Sequence, residues 1–438
     1  MESSRALAAL MKRAVEPLPD LADPRFGAAF DRFADRRVVM LGESTHGTSE
    51  FYRARAAITR HLIERHGFDF LAVEADWPDA ATVNRHVRGL PETQGSRRPF
   101  SRFPQWMWRN AEVTELAGWM REHNARQAPE RRVGFYGLDL YSLGSSMAAV
   151  LAYLEGVDPG AAELARLRYG CLAPWMSAPA EYGHAVMEEI YGKCEEAVVR
   201  QCRELLASRM DYEADDGEAF LDASQNARLV AAAERYYRVM YHGGADSWNL
   251  RDTHMFDTLV ALLDAKGPQA RAVVWAHNSH IGDARATEMG WARDELNIGQ
   301  LCRQRWGEQV ALVGFGTHEG HVAAASRWDG PMEVKAVRPS RPGSVEHLCH
   351  ETGVPRFLLD LRPGQHDALR EALALERLQR FIGVIYLPMT ELYSHYAQVR
   401  LAHQFDAYVW CDRTEAVEAL PPVADQAARA PETFPSGL

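Results

Sequence analysis

Residues Arg37 to Gly47 read RVVMLGESTHG, an apolar run followed by a polar turn that lies between two glycines. The run RVVML shows little alternation between apolar and polar residues, which is typical of a strand buried on both faces of a sheet. The two glycines allow the backbone to leave such a strand sharply. The stretch therefore predicts a buried strand of a mostly parallel sheet, with polar side chains at its carboxyl end.

Seven further runs of the same kind follow along the chain, and segments with helical periodicity separate them. They are Phe68 to Val73, Val133 to Leu140, Ala270 to His277, Gln309 to Phe315, Arg356 to Leu361, Phe381 to Leu387 and Ala407 to Cys411. Strands that alternate with helices indicate an α/β fold, in which helices flank a mostly parallel sheet.

This alternation stops between residues 141 and 245, where long helical patterns replace the strand-like runs. We expect residues 141–245 to form a helical, bundle-like insertion domain. Residues 1–140 and 246–438 then form the α/β catalytic core. No stretch approaches the roughly 20 apolar residues that a membrane-spanning helix needs.

The composition bounds the class of function. The 438 residues carry 49 basic and 60 acidic side chains, a formal net charge of -11. This balance argues against binding to nucleic acid, which needs a basic face, and against binding to an anionic membrane surface. Six scattered cysteines form no C-x-x-C pair, so they predict reduced thiols and a cytoplasmic protein. The expected partner is a small molecule.

The turn after the first strand carries the leading candidates for catalysis. Glu43 and His46 are three residues apart and can face one cavity. A histidine titrates near neutral pH and can take a proton from water, while a neighbouring carboxylate fixes its tautomer. In the alternative interpretation, Glu43 caps a helix and His46 fills a gap. We favour the catalytic interpretation.

Other strand ends place carboxylates and imidazoles at the same edge of the sheet. Glu74 follows a buried apolar run, where a carboxylate is costly unless it is paired or used. Burial is expected to raise its pKa and make it an acid or a second base. His277 and His280 end the fourth run, and the GTHEGH segment ends the fifth.

Several alternatives follow from the same residues. The His-x-x-His spacing of His277 and His280 raises the question of a zinc- or manganese-type site. There is no H-E-x-x-H motif and no cysteine ligand pattern, so we favour acid–base catalysis without a cofactor, with a divalent metal as the open alternative. G-x-S-x-G, Walker and G-x-G-x-x-G motifs do not occur in the sequence. The segment Phe103 to Trp108 (FPQWMW) is either part of the core or the lining of an apolar substrate groove.

Six sequence blocks resemble successive blocks of the erythromycin esterase family, in the order of that family. They are GESTHGTSEFYRAR, FLAVEADWPDA, NLRDTHM, VVWAHNSHIGD, IGVIYLPMTELYSHY and QFDAYVWCDRT. The resemblance runs from about Arg37 to Leu420. It implies an α/β core with an added helical region, and hydrolysis of an ester without a serine nucleophile.

The resemblance also implies roles for matching positions of this chain. His46 matches the family's essential histidine, and Glu43 matches the glutamate beside it. The remaining implied site residues are Arg55, Glu74, His277, His280, Arg251 and Asp252. We assign Glu43, His46, Glu74 and His277 to catalysis and the other four to substrate binding.

The sequence thus predicts a carboxylic ester hydrolase in which His46 activates water, with a macrolide lactone as one candidate substrate. Two alternatives remain at this stage. One is a metal-dependent hydrolase that uses the same histidines and glutamates, and the other is a non-catalytic protein that binds an iron- or haem-type ligand.

Overall fold

The computed structural model describes residues 2–91, 99–176, 178–208 and 217–422. Eleven strands occur in this part of the chain. They are β1 (Val15–Pro17), β2 (Val38–Leu41), β3 (Phe70–Asp76), β4 (Gly134–Asp139), β5 (Ala272–Trp275), β6 (Val310–Ala324), β7 (Glu333–Val337), β8 (Arg356–Asp360), β9 (Arg377–Arg380), β10 (Tyr396–Val399) and β11 (Ala407–Thr414).

Nine of these strands form one sheet in the order β1-β8-β11-β6-β2-β5-β3-β4, with β7 paired to β6. The five pairings from β11 to β4 are parallel, whereas β1, β7 and β8 pair antiparallel. Strands β9 and β10 form a separate antiparallel pair. The predicted α/β class with a mostly parallel sheet is confirmed.

The helices surround this sheet. They are α1 (Glu2–Ala14), α2 (Arg25–Ala28), α3 (Ser49–His66), α4 (Trp77–Arg88), α5 (Ala111–Asn124), α6 (Leu143–Val157), α7 (Pro159–Tyr169), α8 (Pro179–Met187), α9 (Glu195–Ala207), α10 (Gly217–Val239), α11 (Asp246–Lys266), α12 (Asn278–Ile281), α13 (Glu288–Arg293), α14 (Ile298–Trp306), α15 (Val345–His350), α16 (Asp367–Leu373), α17 (Glu391–Ser394) and α18 (Leu401–Gln404). None of them, within the described residues, is long and apolar enough to cross a membrane.

Strand β2 shows why the sheet is buried on both faces. Val38 and Met40 pack into the hydrophobic core on one face, and Val39 and Leu41 pack into the core on the other. Side chains of a strand alternate between faces, so an unbroken apolar run has a buried place for every residue. All four residues are fully buried.

Helices α6 to α10 occupy most of the region between residues 141 and 245. Their apolar residues, such as Leu143, Val150 and Leu229, belong to the same core as Val38 and Met40 of the sheet. The helices therefore cover one face of the sheet. The division of the chain into two domains at residues 141 and 245 stays a prediction.

The strand prediction for Phe381 to Leu387 is wrong. This segment makes isolated bridges, between Ile382 and Thr45 and between Ile385 and Ala325, and forms no ladder. It instead threads between the turn after β2 and the end of β6. The run is apolar because it is buried there, with Ile382 and Tyr386 inaccessible to solvent.

Candidate active site

A cleft opens where β2, β3 and β4 end. Its wall contains His46, Glu74, Ala75, Asp76, Asp79, Phe100, Arg102, Phe103, Pro104, Met107, Trp108, Asp139, Tyr141, Arg251, Trp328 and Val384. The location agrees with the rule that functional groups of open parallel sheets gather at the carboxyl ends of the strands.

The glycines that bound the GESTHG turn are required by close packing. A Cβ at Gly42 would lie 2.1 Å from Oδ1 of Asn278, and a Cβ at Gly47 would lie 2.0 Å from the carbonyl oxygen of Ala323. The turn is therefore pressed against the segment after β5 and against β6. This packing fixes the position of the side chains between the two glycines.

Glu43 lies at the centre of the first charged group, which we call the Glu43 group (Arg55, Glu43 and His46). Its Oε1 is 3.0 Å from Nδ1 of His46, and its Oε2 accepts a hydrogen bond of 2.6 Å from Nη2 of Arg55. Glu43 and Arg55 are fully buried, and His46 reaches the cleft wall. Glu43 thus contacts Nδ1 of His46 and does not contact its Nε2.

Arg55 lies behind Glu43 and is not part of the cleft wall. Its guanidinium lies between the rings of Tyr52 and Trp275, 4.5 and 4.6 Å from their centroids. Such cation–π contacts stabilise a charge that is removed from water. The predicted contact between Arg55 and substrate is not seen in this geometry, because the side chain has no exposed surface.

His277 follows β5 and lies beside His46. The centroids of the two imidazole rings are 4.8 Å apart. The backbone N–H of His277 donates to Oε2 of Glu74, 2.8 Å away, and its Nδ1 is 2.8 Å from Oγ of Ser279. Burial is the main cause that holds the pKa of His277 well below its ordinary value, so this imidazole is neutral at physiological pH.

The second charged group is the Arg251 network (Glu74, Asp139, Arg251, Asp252 and His280). Arg251, on α11, donates from Nε and Nη2 to Asp139, and from Nη2 to Oε1 of Glu74 at 2.7 Å. Its guanidinium also lies 5.2 Å from the centroid of the Tyr141 ring in the cleft wall. One arginine therefore holds the carboxylates of two neighbouring strands.

His280 completes this network from α12. Its Nδ1 is 2.9 Å from both carboxylate oxygens of Asp252, and its Nε2 is 3.3 Å from Oε1 of Glu74. Burial lowers the pKa of His280, but Asp252 and Glu74 outweigh this effect and raise it to about 9. The resulting imidazolium stacks on Trp248 at 4.6 Å between centroids. His280 and Asp252 are buried outside the cleft wall.

The expectation of a raised pKa for Glu74 is wrong. Burial does push the pKa of Glu74 upward, but the charges of His280 and Arg251 hold it well below its ordinary value. The pairing register between β3 and β4 shifts between Val73 and Asp76, and irregularities of this kind often re-aim side chains next to active sites. In this structure Glu74 accepts hydrogen bonds from Arg251 and from the backbone N–H of His277.

The fifth predicted strand end does not join the cleft. Strand β6 continues beyond Phe315 to Ala324 and pairs with β7, so the GTHEGH segment lies within a strand. His318 stacks on His350 at 3.6 Å between centroids, and His321 is paired with Glu415 at the surface. Neither histidine lies in the cleft wall.

The cleft also contains residues that were not predicted as site residues. Asp139 ends β4 and could have been selected by the rule that placed Glu74. Arg102 and Trp328 come from loops, where periodicity carries no signal. Trp328 packs against Phe103 at 4.9 Å between centroids, so two distant segments build an aromatic wall. The segment Phe103 to Trp108 thus lines the cleft with Phe103 and Trp108, while Trp106 is buried in the core, so each of the two interpretations holds for part of it.

The imidazoles and carboxylates of the cleft do not converge as metal ligands. In the described part of the chain, the group of three or more ligand atoms within 4.8 Å of one another lies elsewhere, at Asp31, His61 and His66. The carboxylate oxygens of Glu43 and Glu74 are already bonded to protein groups.

Comparison with known proteins places the chain in a family. The model of the erythromycin esterase family matches residues 63–414. The match includes Glu74, Arg251 and His277, whereas the GESTHG turn lies before it. The placement of Glu43 and His46 in the site therefore rests on the geometry described above.

Two curated relatives are similar over most of their length. The protein YbfO of Bacillus subtilis (strain 168), provisionally named a hydrolase, is 22% identical over 400 residues, 86% of this chain and 83% of that protein. Erythromycin esterase type II of Escherichia coli is 24% identical over 347 residues, 75% of this chain and 81% of that protein.

Solved structures share the fold. A succinoglycan biosynthesis protein has a TM-score of 0.77 at 20% identity, covering 95% of this chain and 99% of its own. A Bacillus cereus protein has a TM-score of 0.79 at 19% identity with the same coverage. A variant of the erythromycin esterase EreC in its open conformation has a TM-score of 0.67 at 17% identity, covering 94% and 100%. The chain therefore belongs to the erythromycin esterase family and is a hydrolase.

Proposed function

We propose that this chain hydrolyses a carboxylic ester with a water molecule that His46 activates. The observation that carries the proposal is the contact between Oε1 of Glu43 and Nδ1 of His46, 3.0 Å long, with His46 in the cleft wall. An ionised carboxylate accepts the Nδ1–H proton, which leaves Nε2 unprotonated as an acceptor. Nε2 is then the atom that removes a proton from water.

The reaction follows from this arrangement in two steps. Water gives one proton to Nε2 of His46 while its oxygen bonds to the ester carbonyl carbon, and the carbonyl oxygen becomes an oxyanion. The tetrahedral intermediate then collapses, the bond to the alcohol oxygen breaks, and the imidazolium returns the proton to that oxygen. Glu43 stabilises the imidazolium between the two steps, and Arg55 holds Glu43 in place.

Arg251 is suited to hold the oxyanion. A guanidinium has five N–H donors, and the bonds to Asp139 and Glu74 use those of Nε and Nη2. Nη1 has one neighbour among the described polar groups, Nε2 of His280 at 3.2 Å, so at least one Nη1 donor is left for substrate. Arg251 lies in the cleft wall, and a fixed donor aimed at a developing charge is an efficient source of catalysis.

The cleft wall indicates the class of ester. Phe103, Trp108 and Trp328 provide aromatic surface, while Arg251 and His46 provide the polar end. Such a cleft suits an ester with a broad apolar face. A macrolide lactone is one compound of this kind, and the Escherichia coli relative is named an erythromycin esterase.

The test is the activity of the His46→Asn variant. We expect turnover of an ester to fall by about 10²–10⁴-fold, the usual contribution of a general base, with the circular dichroism spectrum unchanged. A His123→Asn variant is the matched control, because His123 lies on α5 outside the cleft wall and is half-exposed.

A macrolide panel analysed by mass spectrometry tests the substrate class in the same preparations. The proposal expects a product heavier by one water from wild type and not from the variant. Unimpaired hydrolysis by His46→Asn contradicts the mechanism. If the wild type hydrolyses simple apolar esters but no macrolide of the panel, the mechanism stands and a macrolide lactone is rejected as the substrate.

A further inference from the structure

A second cluster of ligand-type side chains lies outside the cleft. Asp31 begins a short 3₁₀ turn at residues 31–33, and His61 and His66 lie in the last part of α3. Nε2 of His61 and Nε2 of His66 are each 2.6 Å from the same atom, Oδ1 of Asp31. The three side chains are partly exposed, by 16%, 27% and 55% for His61, His66 and Asp31.

The two N···O distances are shorter than those of ordinary hydrogen bonds, and both contacts end on the same oxygen. An N–H···O hydrogen bond is usually about 2.9–3.0 Å long, and a carboxylate has two oxygens that can share its donors. Here both histidines approach one oxygen with the same ring nitrogen. The three ligand atoms lie within 4.8 Å of one another.

The chemistry of these donors suits a metal ion. Two imidazoles and one carboxylate are a common ligand set for zinc and other divalent transition metals. Because all three side chains reach solvent, water can complete the coordination.

We propose that Asp31, His61 and His66 form a binding site for a divalent transition-metal ion of the zinc type. A bound ion would tie the turn at residues 31–33 to the end of α3. His61 lies six residues after Arg55, about 9 Å further along the helix at 1.5 Å per residue, and the cluster is outside the cleft wall. The site therefore stabilises the fold and takes no part in ester hydrolysis.

The test is calorimetric titration of the metal-stripped full chain with Zn²⁺. Wild type is expected to bind one Zn²⁺ at this site and to gain thermal stability from it, since a ligand that binds only the folded state raises Tm. The His61→Ala/His66→Ala double variant is expected to lose at least tenfold in affinity and to lose the Tm increase. His184→Ala is the matched control, because His184 also pairs with a carboxylate, Glu188 at 3.5 Å.

The proposal is overturned if wild type shows no saturable Zn²⁺ binding, or if the double variant binds Zn²⁺ as tightly as wild type. If the double variant does not fold, His66→Gln replaces it, because glutamine is polar and similar in size to histidine but has no imidazole nitrogen. The affinity of His66→Gln for Zn²⁺ must also fall at least tenfold. Ester hydrolysis by the double variant is expected to match wild type. The result is therefore independent of the proposed reaction.

Discussion

The Glu43 group and the Arg251 network contain the same kinds of side chain. They differ in whether the histidine bonded to the carboxylate reaches the cleft. Glu43 binds one arginine behind it and one histidine in front, and that histidine reaches the cleft. Glu74 contacts Arg251, His280 and the backbone of His277, and both of its oxygens are used. We therefore assign proton transfer to the first group and charge stabilisation to the second.

The comparison also shows how charge is balanced in each place. In the Glu43 group one carboxylate lies between one guanidinium and one imidazole, so a proton taken up by His46 places a positive charge directly beside that carboxylate. In the Arg251 network, three carboxylates face Arg251 and the raised-pKa imidazole of His280. The carboxylates of that network are therefore already bonded to Arg251 or His280.

The largest stability effect is expected when the Glu43 group loses its arginine. Arg55→Met removes the partner of Glu43 while keeping an apolar side chain between Tyr52 and Trp275. Because both charges are fully buried, the free energy of unfolding should fall by about 3–5 kcal/mol. Denaturant unfolding measures this change, with Arg53→Met, on the exposed side of the same helix, as the control. A loss below 1 kcal/mol would contradict the assigned ion pair.

A smaller effect, on turnover, is expected in the other group. Arg251→Lys keeps the positive charge beside Glu74 and Asp139 but removes the forked guanidinium, so the oxyanion loses its donor. We expect kcat to fall by about 10²–10³-fold. Arg102→Lys, another arginine of the cleft wall, should lose less than tenfold. An equal fall in kcat in the two variants would contradict the assignment of Arg251 as the group that binds the oxyanion.

The Arg251 network also predicts how stability depends on pH. The pKa of His280 is raised to about 9 in the folded protein, from an ordinary value of 6.5. Its contribution to stability is therefore complete below pH 6.5 and is lost as the pH rises through 9. Urea unfolding of wild type and His280→Gln at pH 6 and pH 9.5 measures this contribution. A difference between the two proteins that is the same at both pH values would refute the raised pKa.

The parallel strands of the sheet could be predicted because each contains an apolar run that is buried on both faces. Strands β2 and β5 are examples, with every residue fully buried. Strand β7 was not predicted, because its sequence EVKAV is largely exposed and carries two charges. The segment Phe381 to Leu387 was predicted as a strand because burial alone produces the same apolar pattern. The apolar composition of a segment indicates that it is buried. Whether it forms a strand depends on hydrogen bonds to a neighbouring backbone, which the composition does not show.

The site could be predicted where residues follow a strand directly. Glu43, His46 and Glu74 were identified in this way, and the structure places His46 and Glu74 in one cleft. The roles within the site could not be predicted. The ionised state of Glu74 depends on Arg251 and His280, which are far from it in the sequence. The aromatic wall depends on Trp328, which lies in a loop between β6 and β7.

The central claim is that Glu43 acts through His46, and a double-mutant cycle tests it most directly. We would measure kcat/KM for wild type, Glu43→Gln, His46→Asn and the double variant with one ester. Two residues that act as a unit give strongly non-additive effects. The account predicts a large loss for each single variant and almost no further loss when Glu43→Gln is added to His46→Asn. Losses that multiply in the double variant would contradict it.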